Sequence, residues 1–506
     1  MSLATIALLT PEIVLIAVAV GIFMLGVLVR AEGTWSWMAL GGIIVAAVAL
    51  SWQTARPTGE PLVVDGLALY VRWLSLVSGG LLVLVASRPA ASQGSPEYVA
   101  SLLLTVAGMM LVSVANELVL LFVGLELISI PTYVLLYLGR RNAASQESAT
   151  KYFFLSILAS ATLLYGLSFL YGIAGSTSLA TIHDRLAATA GDGGPISLAK
   201  LALVMVIVGL GFRITAVPFH FYAPDVYQGT THANAAFLSV VPKIAGFMAL
   251  IRIVAIGMAG VGPTPWRIVF GLAVVTMTLG NTMGLWQDNI RRLMAYSSIA
   301  HAGYLLVALA AYLAAAPGVT PAWDGIAALL FYLLVYAAAT IGAFAALDCL
   351  SRGEKQIDGI EDLAGLAWTG GPMRRFLAWA LAIFMFSLTG IPPLAGFWGK
   401  LAIFLGALNT GDPGSDTRGW FIGLAVVGVL NAAISAGYYL KVVGVMFFRT
   451  PLATPKTREE PGLGLLATAF CLLLVLAVGL APGFWTRQAN RASPARVAVH
   501  AAAPSP

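Results

Sequence analysis

The chain has 506 residues, 59% of them hydrophobic and 10% charged, with mean hydropathy +0.90. Soluble domains carry about 25% charged residues, so this composition excludes a soluble enzyme and specifies an integral membrane protein. The formal charge of +6 is scattered between apolar runs with no basic block, which excludes nucleic acid as a partner.

The apolar runs reach about 20 residues, the length of a membrane-spanning helix, whereas barrel strands would alternate over roughly ten. The expected fold is all-α, with about fourteen transmembrane helices. The start, Met1-Ser2-Leu3-Ala4, has no basic segment and leads into Pro11-Glu12, so it reads as the approach to a first span and not as a cleaved signal peptide. The first seven spans are 11–29, 35–52, 67–86, 98–115, 118–138, 152–173 and 198–221. The other seven are 235–256, 268–286, 293–314, 326–346, 376–404, 421–448 and 463–480. Their short connections leave no room for a soluble domain. The longest loop, 348–375, is charged and expected at the surface; the Ala-, Pro- and Arg-rich tail after Trp485 is expected to be loosely ordered.

Two spans are interrupted. The seventh reads Gly211-Phe212-Arg213-Ile214-Thr215-Ala216-Val217-Pro218-Phe219-His220, and the twelfth carries Gly390-Ile391-Pro392-Pro393-Leu394-Ala395-Gly396. Proline removes a backbone donor and clashes with the preceding turn, so both helices should break there. Freed carbonyls at membrane depth are tolerated only inside protein or against a wet cavity. The breaks lie five spans apart. Two five-helix repeats would put them in matching places, and an odd span number per repeat makes the second one inverted. The expected organisation is 1–97 for three N-terminal helices, 98–257 for the first repeat, 266–448 for the second and 449–506 for the last helix and tail.

Orientation follows from the basic residues. Loops after odd-numbered spans hold Arg30, Arg88, Arg140, Arg141, Lys151, Arg291, Arg292, Arg352, Lys355, Arg374, Arg375, Arg449, Lys456 and Arg458. Loops after even-numbered spans hold Arg56, Arg185, Lys200, Arg267 and Arg418, and the tail holds Arg487, Arg491 and Arg496. The positive-inside rule puts the odd loops in the cytoplasm and both termini outside.

Against this apolar background four ionisable groups stand at depth: Glu126, Arg213, Lys243 and Lys400. Each opposes insertion by roughly 2.5–3.5 kcal/mol, about 10 kcal/mol in all. The bland reading is a set of structural ion pairs; the functional one is charge transport, most simply of protons. Ser129 shares the helix face of Glu126. Lys243 lies too far from either end of its span to snorkel, and a desolvated amine can exchange a proton at cellular pH. For Lys400 snorkelling remains a second reading, and Arg72, Arg252 and Lys441, nearer span ends, are read as snorkelling. His220 and His301 are relay candidates alongside Lys151, and each is as well explained by packing. Ser297 and Ser298 extend His301 into a polar stripe.

Cys349 and Cys471 are widely separated, and the chain has no Cys-x-x-Cys, no Gly-x-Gly-x-x-Gly between strand and helix and no Walker loop. If the chain works with electron transfer, the electrons travel elsewhere.

Several segments resemble the N-type antiporter-like membrane subunits of proton-pumping NADH:quinone oxidoreductase, respiratory complex I, the counterparts of mitochondrial subunit 2. They are Gly124-Leu125-Glu126-Leu127, Lys151-Tyr152-Phe153, Val217-Pro218-Phe219-His220-Phe221 with Pro224-Asp225-Val226-Tyr227, Ala295-Tyr296-Ser297-Ser298-Ile299-Ala300-His301, Asp362-Leu363-Ala364-Gly365-Leu366 and Gly390 to Lys400. The similarity runs from about 98 to 448. It implies that Glu126 is the carboxylate of the fifth helix, Lys243 the central proton-carrying lysine and Lys400 the lysine of the distal half-channel. It also implies partners among the other membrane and hydrophilic subunits, which would hold NADH, FMN, iron–sulfur clusters and quinone. This chain would bind no cofactor or metal itself, and it would lie multi-pass in the bilayer of a bacterial inner membrane. Two departures stand out: Arg213 occupies a position usually held by lysine, and Thr230-Thr231-His232-Ala233-Asn234 replaces the usual Ala/Ser-Pro-x-Pro. Two other readings remain: a subunit of an Mrp-type monovalent cation/proton antiporter, and a structural subunit whose charges only organise packing.

Overall fold

The computed structural model describes residues 3–29, 33–55, 61–87, 95–139, 142–188, 193–315, 323–351, 357–369, 371–412, 414–451 and 462–494. Among them the chain is all-helical, and 13 helices are long and apolar enough to cross a membrane. After a short α1 (Leu3–Leu8), the N-terminal spans are α2 (Thr10–Leu28), α3 (Thr34–Ser51) and α4 (Gly66–Ala86). The next group is α5 (Pro96–Val114), α6 (Leu118–Gly139), α7 (Ala143–Ala174), the short α8 (Leu179–Ala188), α9 (Gly193–Ile214), the short α10 (Ala223–Gly229) and α11 (His232–Leu250). The rest is α12 (Thr264–Gly284), α13 (Ile290–Ala314), α14 (Gly325–Leu350), α15 (Pro372–Thr389), α16 (Ala395–Leu408), α17 (Asp416–Phe448), α18 (Leu463–Leu480) and α19 (Pro482–Ala492).

The predicted spans are all present, with corrected edges. The seventh does not run to 221: helix α9 ends at Ile214, and turns carry the chain to α10. The twelfth breaks as expected, into α15 and α16. Polar residues extend α7 and α17 beyond their apolar runs, to 32 and 33 residues. Both segments are helix formers, and Asn142 and Ser415 cap their first turns through side-chain bonds to Ser145 N and Arg418 N.

Helices α13 and α14 are wholly enclosed by protein along their apolar windows, and α11 almost so. These three form the enclosed axis of the molecule, and the other helices pack around it. Glycines let the axis close up. A Cβ at Gly303 would meet Met277 N at 2.5 Å, and one at Gly246 would stand 2.6 Å from Ile214 Cγ2 and 3.5 Å from Arg213 Cβ.

Three expectations fail for identifiable reasons. Arg72 and Arg252 do not snorkel. Arg72 is fully buried and makes a two-pronged bond to Glu12, with further bonds to Gln53 Oε1 and Leu8 O. Arg252 holds both oxygens of Asp65 at 2.8 Å and also donates to Ser113 O. Each found a carboxylate far away in sequence, and an arginine fork satisfied in this way has no reason to reach for water. Lys441, by contrast, is partly exposed and pairs with Asp288, as a snorkelling lysine should. The 348–375 stretch is not simply surface: Asp348 belongs to α14, and Ile357, Ile360, Leu363 and Leu366 are buried. The tail is ordered as far as described, because 482–492 forms α19, which starts on Pro482 and buries Ala489 and Ala492.

The Thr230–Asn234 departure has a local function. Thr231 caps α11 by accepting from Asn234 N, the task an initiating proline cannot perform. The Asn234 amide donates to Leu135 O and Thr230 Oγ1 and accepts from Tyr98 Oη at 2.6 Å, tying α5, α6 and α11 together. Of the basic residues used for orientation, Arg30, Arg56, Arg88, Arg140, Arg141, Arg352, Lys355, Lys456, Arg458 and Arg496 lie outside the described residues.

Candidate functional site

Helices α6, α7 and α9 bring Glu126 and Arg213 together. Arg213 Nη2 donates to Glu126 Oε1 at 2.8 Å and to Ser160 Oγ at 3.0 Å, while Nη1 donates to Ser129 Oγ at 2.6 Å and to Leu125 O. Ser160 in turn donates to the same Glu126 oxygen. Arginine carries five donors in a fixed fork and keeps its proton, so it is a permanent partner for the carboxylate. Arg213 is nearly buried, whereas the Glu126 side chain is 24% exposed on the outer wall of the chain.

One helix inward, Lys243 on α11 has no exposed surface. Its Nζ donates to Ser298 Oγ on α13 and to Thr215 Oγ1 at 3.2 Å, and it lies 5.8 Å from the ring centre of Tyr336. Thr215 is the first residue after α9, and the broken helix is what puts its hydroxyl there. It has φ +61°, a left-handed conformation that a β-branched residue rarely adopts. Ser298 also bonds to Tyr336 Oη at 2.9 Å. Hydroxyls donate or accept, so these partners suit the amine in either proton state.

The second break is built differently. Helix α15 ends at Thr389 and is capped by Gly390, φ +93°, and α16 begins at Ala395. Lys400, 4% exposed, turns back across the break and donates to Leu388 O and Thr389 O, both at 2.9 Å. These carbonyls belong to the last turn of α15, which has no helical donors left for them. Snorkelling is thereby overturned for Lys400, because its amine is spent on the helix end. Its ammonium also lies 4.9 Å from the ring centre of Tyr304.

Between the two lysines stands His301, buried, with Nδ1 2.5 Å from Tyr332 Oη and Nε2 3.0 Å from Tyr439 Oη. Its stripe-mates are used as well: Ser298 by Lys243, and Ser297 by Tyr439. His220 sits in the turn after the first break. Its Nδ1 is buried with no hydrogen-bond partner among the described residues, and no bond joins it to the other charged groups. Lys151 lies on a half-open rim, bonded to Glu147 at 2.7 Å and to Asp225 at 3.3 Å. Asp225 is shared with Arg292 at 2.6 Å. Burial alone would raise the Asp225 pKa, but Arg292 and Lys151 together hold it below its ordinary value. A cavity of about 430 Å³ opens here, lined by Glu147, Lys151, Asp225, Arg291 and Asp358 among others.

Sequence reading missed the tyrosines. Tyr332 and Tyr336 recur four apart in an apolar helix, a spacing that reads as core packing. The available signal was the hydroxyl, since a buried phenol must find a partner.

The family described as NADH:quinone oxidoreductase/Mrp antiporter, TM, matches residues 115–417, which span Glu126, Arg213, Lys243, His301 and Lys400. The chain belongs to this family. It is 36% identical over 483 residues to a Trichlorobacter lovleyi protein named NADH-quinone oxidoreductase subunit N, covering 94% of this chain and 93% of that one. It is 38% identical over 456 residues to a subunit N of Paramagnetospirillum magneticum, with 87% and 88% covered. Among solved structures it matches a chain of respiratory complex I from Thermus thermophilus with bound aureothin, with TM-score 0.77 and 33% identity over 94% of this chain and 98% of that one. A chain of the Mrp complex from Dietzia sp. gives TM-score 0.77 at 21% identity, with 96% and 97% covered, and at that identity the likeness is one of fold alone.

Proposed function

We propose that this chain is the N-type membrane subunit of an NADH:quinone oxidoreductase and carries protons across the bilayer while quinone is reduced elsewhere in the complex. The observation that carries the reading is Lys243: an amine without exposed surface, on the axis of the bundle, whose partners are hydroxyls that serve it with or without its proton. Glu126 and Arg213 form a charged station on one side of it, His301 a relay and Lys400 a second lysine on the other. Lys151 belongs to the cytoplasmic rim, and His220 is a secondary relay candidate. The two breaks are read as matching parts of inverted units, 98–257 and 266–448.

The partners are the other membrane and hydrophilic subunits of complex I. A Glu126 side chain one-quarter exposed at membrane depth fits a wall covered by protein and not by lipid. NADH, FMN, iron–sulfur clusters and quinone belong to those subunits, and this chain would add no redox centre. The compartment would be a bacterial inner membrane with both termini outside.

A tagged copy of the chain, purified in mild detergent from its own cells, tests the assignment. The expected result is co-purification with hydrophilic subunits and NADH:quinone activity. Recovery with sodium/proton antiport and no NADH oxidation would move the chain to the Mrp reading.

A further inference from the structure

The two ring nitrogens of His301 are both engaged by phenols, Nδ1 by Tyr332 and Nε2 by Tyr439, and Tyr439 Oη bonds on to Ser297 Oγ. The ladder is regular. Ser298 and His301 lie three apart on α13, and Tyr336 and Tyr332 lie four apart on the next helix, α14, so each α13 residue faces its own tyrosine. The Tyr336 ring also packs on His301 with centroids 5.0 Å apart. At the far end, the Tyr332 ring closes against Gly399, the neighbour of Lys400, where a Cβ would come within 2.3 Å of Tyr332 Cδ2.

A neutral imidazole has one N–H and one lone pair, so one of the two phenols donates to it and the other accepts. The row Tyr332–His301–Tyr439–Ser297 therefore has two polarities, and the one present decides which nitrogen is open to a proton. We propose that Tyr332 and Tyr439 hand protons to and from the two nitrogens of His301, and that the polarity of these two bonds sets the direction of transfer through it. The inference rests on the relay reading of His301 above.

The transfer balances as follows in the direction from Lys243 to Lys400. Tyr439 gives its hydroxyl proton to Nε2 while the Nδ1 proton passes to Tyr332 Oη. Tyr332 releases its original hydroxyl proton to the Lys400 amine. Ser297 restores Tyr439, and the Lys243 ammonium restores Ser297. One proton leaves Lys243, one arrives at Lys400, every hydroxyl is returned and the imidazole ends as its other tautomer. A second proton can follow after the row has turned back. Among the described residues no hydrogen bond joins Ser297 to Lys243 or Tyr332 to Lys400, so both ends must close before a proton crosses.

Tyr332→Phe and Tyr439→Phe keep the rings and remove one nitrogen's partner each. In inverted vesicles holding the assembled complex, each variant should slow proton uptake about a hundredfold or more, the lower end of what a positioned acid or base contributes. NADH oxidation with an uncoupler present should continue. Infrared difference spectra should show the imidazole bands of the two variants displaced toward opposite tautomers. Tyr98→Phe, which loses a buried hydroxyl bonded to Asn234, is the control and should pump normally. Wild-type uptake by either tyrosine variant, or identical imidazole bands in both, overturns the proposal. Normal uptake by His301→Phe would instead remove the relay reading beneath it.

Discussion

The two helix breaks do the same thing to the backbone and different things with it. At the first, a threonine takes the left-handed turn and offers its hydroxyl to Lys243, which is held otherwise by a serine. At the second, a glycine takes the turn without strain and Lys400 fastens to bare carbonyls. Hydroxyls pass protons on, whereas carbonyls accept hydrogen bonds only. Under the proposed function the first break would be a point of passage and the second a place where a charge rests. The threonine conformation costs of order 1–3 kcal/mol, and such strain persists where the surroundings make use of it.

The comparison breaks first at Lys243. Lys243→Met should reduce quinone-coupled proton uptake in vesicles about a hundredfold or more while the complex assembles, because among the described residues no other amine bonds Thr215 or Ser298. Wild-type uptake would mean that the lysine is not a carrier. Next in size is the charge beside it. Arg213→Ala leaves Glu126 without its guanidinium and should lose most uptake, whereas Arg213→Lys keeps the charge and should retain most of it. Wild-type uptake by the alanine variant would show that the charge at 213 is dispensable.

Thr215→Gly sharpens the contrast by giving the first break the chemistry of the second. Uptake should fall severalfold with the hydroxyl gone, yet resistance to thermal inactivation should rise by up to about 1–2 kcal/mol as the left-handed penalty disappears. A rise in stability with unchanged uptake would leave the hydroxyl without a part in transfer. The smallest effect belongs to Gly390→Ala. Its Cβ would stand 3.2 Å from Lys400 Cδ at a backbone φ of +93°. A stability loss of about 1–2 kcal/mol in thermal inactivation of the complex is expected, with a minor change in uptake.

Much of this was legible in the sequence, since hydrophobic periodicity and proline chemistry are local. The spans, both breaks and all four charges at depth could be read from runs of apolar residues and their interruptions. What could not be read were partners distant in sequence. Nothing near Arg72 announces Glu12, 60 residues away, and nothing near Arg252 announces Asp65, 187 away. With their carboxylates unseen, both arginines looked like snorkelling cations. The tyrosines of α14 were hidden differently, because their rings satisfy a packing pattern and their hydroxyls leave no trace in it. The end of α9 at Ile214 was misplaced because the sequence points to Pro218 while the chain turns earlier, at Thr215.

The bond between Arg252 and Asp65 sets a limit on how far the chain can be shortened. Asp65 lies just ahead of α4, and Arg252 lies in the helical turn that prolongs the helix of Lys243. Deleting everything before α5 would take away the carboxylate and leave a guanidinium enclosed by apolar helices, at a cost of about 3–5 kcal/mol. A minimal version of this subunit would need a neutral side chain at 252 from the outset. The first three spans are in that sense structural creditors of the lysine helix, and the chain could dispense with them only by dispensing with that arginine.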